Sequence, residues 1–157
     1  MNIKARITVG ILFATFSMAS FAGDVSRINP PTLKDTSQYG FSQVVIAPSN
    51  ARTVYLSGQF SGDVSGKVRG KTMQEQIAYS FENLRHAIEA AGAKPENVVK
   101  IQVLIVDHEQ DYVSLVQSQI QQLFGEHLPA STLIPVPRLA LDGMRFEIDA
   151  TLVIPEK

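Results

Sequence analysis

Apolar residues recur at helical spacing over Thr72–Ala91, where Ile77, Phe81, Leu84, Ile88 and Ala91 stand four, three, four and three positions apart. Such spacing lays one apolar stripe along a helix. Thr72 with Glu75 three residues on has the spacing of a capping box, and Gly92 suits the position just past the helix end. A second amphipathic helix is predicted over Asp111–Phe124, carrying Tyr112, Leu115, Val116, Ile120 and Leu123. The period changes to two in Met144–Ile154. Met144, Phe146, Ile148, Ala150, Leu152 and Ile154 fall on one side, and Arg145, Glu147, Asp149 and Thr151 on the other. That alternation predicts a strand with one buried face. Val98–Val106 is a further strand, with Lys100 and Gln102 opposite Val99, Ile101 and Val103.

The remaining segments follow from turn chemistry and short β-rich runs. Ser42–Ala47 and Thr53–Gln59 are predicted strands around a Pro48-Ser49-Asn50 turn, with Val54, Tyr55 and Leu56 read as buried. Residues 61–70 form a glycine-containing, hairpin-like loop, and residues 130–137 are extended up to Pro137. Residues 23–38 are polar and carry Pro30-Pro31, which predicts an extended arm. The order β-β-α-β-α-β-β with two amphipathic helices predicts an α+β two-layer sandwich. Helices covering one side of the sheet leave its other side, polar but sparsely charged, as a surface for subunit contact.

Residues 1–22 have a different pattern. Lys4 and Arg6 precede the uncharged, mostly apolar run Ile7–Phe16, and Ser20-Phe21-Ala22 sets small residues before Gly23. This is the layout of a cleavable secretory signal, and the apolar run falls short of a membrane span. Export to a periplasm or the exterior is the expectation. Removing these 22 residues from 157 leaves 135, and the loss of two basic residues moves the formal net charge from −1 to −3. A negative chain lacks the electrostatic footprint of a nucleic-acid binder. The sequence has no Cys, which excludes disulfides, thiolate nucleophiles and Cys-ligated metal. An exported chain without disulfides relies on packing or assembly for stability.

Two motifs invite a chemistry that their context does not support. Gly70-Lys71-Thr72 opens a helix as a phosphate-binding loop does, but Ser65 stands where that loop needs its first Gly. His86, His108 and His127 lack zinc-ligand spacing, so no metal is expected.

Seven stretches in one register carry a resemblance. Tyr39-Gly40-Phe41-Ser42-Gln43, Val54–Gln59, the Gln76, Ala78 and Asn83-Leu84 positions, Ala91-Gly92, Val98-Val99-Lys100 with Asp107, Pro129-Ala130 through Arg138-Leu139, and Glu147–Ala150 together resemble the reactive intermediate deaminase family (RidA/YjgF, once called endoribonuclease L-PSP). The resemblance covers residues 38–154, so residues 39–157 form the Rid-like domain after the signal and the 23–38 arm. It implies a chorismate-mutase-like fold, a homotrimer with ligand clefts between subunits, and cofactor-free hydrolysis of enamines and imines to a carbonyl compound and ammonia. It places Glu147 at the position of the water-activating carboxylate. Phe41, Ser57, Gly58, Ser131 and Arg138 fall at cleft or neighbouring positions. Phe41 stands where the family often has Tyr, Val116 lies near its Asn, and Ser131 replaces the Arg that holds the substrate carboxylate. The expectation is therefore a Rid-like imine hydrolase with an altered substrate, or a non-catalytic trimeric small-molecule-binding protein. A nuclease activity, the family's older label, is opposed by the negative charge.

Overall fold

The computed structural model describes residues 24–156, so the expected signal segment lies outside the described residues. Six strands and two main helices follow in order: β1 Ser26–Ile28, β2 Val44–Ile46, β3 Ala51–Phe60, α1 Met73–Ala90, β4 Val98–Val106, α2 Gln110–Phe124, β5 Ala130–Val136 and β6 Phe146–Pro155. The α+β two-layer fold expected from periodicity is present, with one strand more than the sequence pattern suggested. That extra strand lies in the polar arm and pairs antiparallel with β2, Arg27 opposite Val45. β2 thus belongs to a separate two-stranded ribbon and not to the main sheet. Arg27 fixes the arm to the domain by donating to the carbonyls of Glu96 (2.7 Å) and Val98 (3.2 Å).

The main sheet has the order β3-β6-β4-β5. β6 runs antiparallel to both neighbours, while β4 and β5 are parallel and joined through α2. A parallel pair requires such a crossover, which explains why a helix separates these two β-rich runs. One face of the sheet is covered. Ile101, Val103 and Ile105 of β4 and Phe146, Ile148 and Leu152 of β6 are fully buried against Ile77, Leu84 and Ile88 of α1 and Val116, Ile120 and Phe124 of α2. Each such side chain contributes about 1.5–3 kcal/mol of apolar burial. The Phe81 and Phe146 rings join helix to sheet at a centroid distance of 6.2 Å.

The predicted start of α1 is realised in detail. The Thr72 hydroxyl accepts from Glu75 N at 3.2 Å, and Glu75 Oε2 accepts from the amides of Thr72 (3.0 Å) and Lys71 (2.8 Å). The same bonds dispose of the phosphate-loop reading, because the amides that would face a phosphate are taken by a carboxylate. Gly92 adopts φ 69°, the left-handed conformation that glycine enters without steric cost. Gln76 and Asn83, both part of the family resemblance, turn out to hold loops. Gln76 donates to Gly143 O (2.8 Å) and accepts from Arg145 N (2.9 Å), and Asn83 donates to Phe60 O (2.7 Å) and Gly62 O (2.9 Å).

One burial expectation and one strand boundary are corrected. Tyr55 is 79% exposed, because its register partner Thr151 lies on the uncovered face of the sheet. Met144 is buried but precedes β6. It packs with Val106 and Leu139 in a small second cluster, where Phe60 and Leu104 also meet. The uncovered face otherwise presents Lys100, Gln102, Glu147, Asp149, Thr132 and Ile134. Among the described residues no helix is long and apolar enough to cross a membrane.

Candidate functional site

The side chains singled out in the sequence fall into two groups on opposite faces of one sheet. Side chains of paired residues in neighbouring strands share a face, so register assigns them. Glu147 pairs with Leu104 on one side and Phe60 on the other, which puts it on the uncovered face. Ser131 pairs with Ile101, a core residue, which puts it on the helix-covered face.

The Glu147 group is shaped by a bulge. Between the pairs Leu56–Ala150 and Gln59–Ile148, Ser57 and Gly58 oppose the single residue Asp149. Such a bulge re-aims the strand locally. Gly58 thereby brings bare backbone against the carboxylate: a Cβ built there would lie 1.8 Å from Glu147 Oε1 and 2.8 Å from its Cγ. Glycine leaves room for this placement of the Glu147 side chain by its size, not by its φ. Glu147 is half-buried between Phe60 and Leu104, and among the described residues it forms no salt bridge. Its carboxyl titrates above the ordinary carboxylate range, first because burial disfavours the charge and then because Asp149 lies nearby. Asp149 is raised as well, by burial, with Lys100 opposing. Lys100 donates to the Thr132 hydroxyl at 2.6 Å. A half-buried carboxylate without a salt-bridge partner among the described residues, its charge disfavoured by burial, can exchange protons with a water in front of it. Ser57 lies at the same bulge and is exposed.

The Ser131 group lines a cavity of about 500 Å³ between α2, the β5 edge and the segment that leads into β2. Its volume is in the range of small-molecule sites. Phe41, Val103, Val116, Ile120 and Leu133 supply apolar walls, and Ser131 supplies a hydroxyl. The chain turns into this wall through Thr36, whose hydroxyl donates to Phe41 O at 2.8 Å, and through buried Ser42, which donates to Leu128 O at 2.8 Å. Lys34 and Tyr39 form the rim, and the Lys34 ammonium donates to the Tyr39 hydroxyl.

The structure thus brings Phe41 together with Ser131, and Ser57 and Gly58 together with Glu147, but it does not join the two pairs within one chain. Arg138 joins neither. It is exposed, and its guanidinium lies 3.6 Å from Asp142. Lys34 at the cavity rim and Asp149 beside Glu147 were not singled out by sequence reasoning. Asp149 was within reach, since period-two alternation puts it on the same side of β6 as Glu147. Lys34 carried no signal, being one lysine in an arm that only the fold carries over the cavity.

Comparison with known proteins gives a consistent result. The model of the family described as Endoribonuclease L-PSP matches residues 34–154. A human 2-iminobutanoate/2-iminopropanoate deaminase is 32% identical over 114 residues, covering 72% of this chain and 79% of its own. The enzyme of the same name from Salmonella typhimurium is 32% identical over 103 residues, covering 64% of this chain and 78% of its own. Among solved structures, the Rid-family protein YyfB of unknown function from Yersinia pestis superposes with a TM-score of 0.79. It is 28% identical and covers 84% of this chain and 100% of its own. RidA from a Psychrobacter species superposes with a TM-score of 0.58 at 27% identity, covering 74% and 95%.

Proposed function

Since the chain belongs to the Endoribonuclease L-PSP (RidA/YjgF) family, we propose that it is an exported, homotrimeric imine and enamine deaminase, divergent at its anion-binding position. The observation that carries this reading is Glu147, half-buried over the bare backbone of Gly58 with its charge disfavoured. In the ionised form its carboxylate takes a proton from a water that attacks the imine carbon. The C–O bond forms as the C=N double bond becomes single and the carboxyl returns that proton to the nitrogen, giving a carbinolamine. The carboxylate then moves the hydroxyl proton to the amine as the C–N bond breaks and C=O forms, giving a carbonyl compound and ammonia. No cofactor enters this balance.

The opposite placement of Glu147 and Ser131 supports an interfacial cleft. A single sheet cannot aim both at one small molecule, whereas the uncovered face of one copy set against the β5 edge of another can. The uncovered face, with Tyr55 and Ile134 exposed, is the surface such an assembly would bury. Ser131 gives one neutral hydrogen bond where the family's Arg gives a charged fork. That replacement favours, as a second reading, a trimer that binds small molecules without turning them over.

Ammonia release from 2-iminobutanoate generated in situ tests the proposal. Wild-type protein is expected to accelerate release, Glu147→Ala to remove the acceleration by roughly 10²–10⁴-fold, and Ser131→Arg to increase it. No acceleration by the wild type would leave the binding reading in its place, and full activity in Glu147→Ala would overturn the assignment of the carboxylate. Light scattering is expected to give a trimer, and a monomer would remove the interfacial cleft. N-terminal sequencing of the exported chain is expected to begin at Gly23.

A further inference from the structure

The cavity beside Ser131 contains one charged lining residue, and it comes from the arm. Lys34 stands at the rim of walls made by Phe41, Val116, Ile120 and Leu133, and among the described residues no Asp or Glu lines the same space. Its position is built from both sides. Gln43 Nε2 donates to the Lys34 carbonyl at 3.2 Å, and the ammonium donates to the Tyr39 hydroxyl while lying 4.4 Å from the centroid of that ring. An ammonium has three donors, so one bond to Tyr39 leaves two for a ligand. The nearest carboxylate in sequence, Asp35, is committed elsewhere: it accepts from Asn29 Nδ2 (2.9 Å), Ser37 N (2.9 Å) and Ser37 Oγ (2.8 Å). Among the described residues Lys34 forms no salt bridge.

We propose that Lys34 is the anion-holding residue of this cleft, so that the site takes small carboxylates with a branched apolar body, held by an ammonium at the rim while Ser131 donates a neutral bond from the wall. This deepens the deaminase reading and rests on it for the location of the cleft. The charge that a guanidinium at position 131 would supply from the sheet is supplied from the arm. The exchange alters specificity: an ammonium is a point charge without a planar fork, so it fixes the carboxylate less strictly in angle. The space left by the smaller Ser131 belongs to the apolar body of the ligand.

Calorimetric titration with 4-methyl-2-oxopentanoate and its uncharged amide isolates the charge from the shape. The wild type is expected to bind the acid roughly tenfold more tightly than the amide, as a charge-assisted hydrogen bond would give. Added salt is expected to weaken the acid alone. Lys34→Met is expected to erase the acid-over-amide ratio while leaving amide binding unchanged, and Lys34→Arg to restore it. Because Lys34 is exposed, neither variant is expected to disturb folding, and unchanged melting temperatures verify this. Equal binding of acid and amide by the wild type, a ratio that survives Lys34→Met, or no binding of either ligand would each overturn the proposal. Lys34-dependent binding without ammonia release from any imine would sustain it while removing the deaminase reading. Glu147-dependent ammonia release with a ratio indifferent to Lys34 would do the reverse.

Discussion

The two faces of the main sheet use the same backbone for opposite purposes. On the uncovered face, Glu147 is positioned by removal: a glycine and a bulge clear the space in front of it, and among the described residues it forms no salt bridge. On the covered face, Ser131 sits in a cavity assembled from three distant segments. A carboxylate can be set by its own strand and the one beside it, so its surroundings follow from register. A cavity needs a helix, a strand edge and a connecting segment to meet, so it can be rebuilt without touching the sheet. Under the proposed function, this contrast accounts for a chain that keeps the carboxylate on one face while changing the anion-binding position on the other.

The contrast can be broken most completely at Phe146, which adjoins Glu147 in sequence but points into the core with no exposed surface. Phe146→Ala is expected to cost about 3–5 kcal/mol. A denaturant titration should show the loss, with both faces failing together. Gly58→Ala separates the faces. Its new Cβ would displace the Glu147 carboxylate, so ammonia release is expected to fall roughly 10²-fold, as misplacement of a reacting group by about an ångström does. The melting temperature should change far less than in Phe146→Ala, and an equal drop would show that the loss of activity is a loss of folding.

A smaller effect sharpens the electrostatics of the uncovered face. Glu147 and Asp149 are both raised above their ordinary values, so the folded chain favours their protonated forms. That preference stabilises the fold at acidic pH, below the titration range of the unfolded carboxyls, and is lost as pH rises through the folded values. Asp149→Asn is therefore expected to raise the denaturation midpoint at neutral pH more than at acid pH. It should also move the acid limb of the activity profile downward, since one of the causes that raises Glu147 is gone. A limb that moves upward would contradict the assignment. Thr72→Ala touches neither face. Loss of its cap is expected to cost about 1 kcal/mol of stability, read as a lowered melting temperature with unchanged catalysis.

Much of the candidate site was legible before the fold. Alternation in β6 put Glu147 and Asp149 on one side, and the resemblance marked Gly58, Ser131 and Phe41. The burial of Tyr55 was misjudged because a run of β-favouring residues does not say whether the sheet is covered on one side or both. The strand Ser26–Ile28 was missed because three polar-flanked residues give no period, and their pairing depends on Arg27 reaching the carbonyls of Glu96 and Val98.

Local patterns determine what depends on neighbours along the chain: the capped start of α1, its apolar stripe, the two-period of β6 and the reversal at Gly92. These follow from 3.6- and 2-residue repeats and from groups a few positions apart. The tertiary structure alone decided that Ser131 and Glu147 face away from each other and that Lys34 and Ser131 line one cavity. Register between distant strands and the path of the arm set those relations, and both depend on long-range pairing and burial that no local repeat encodes.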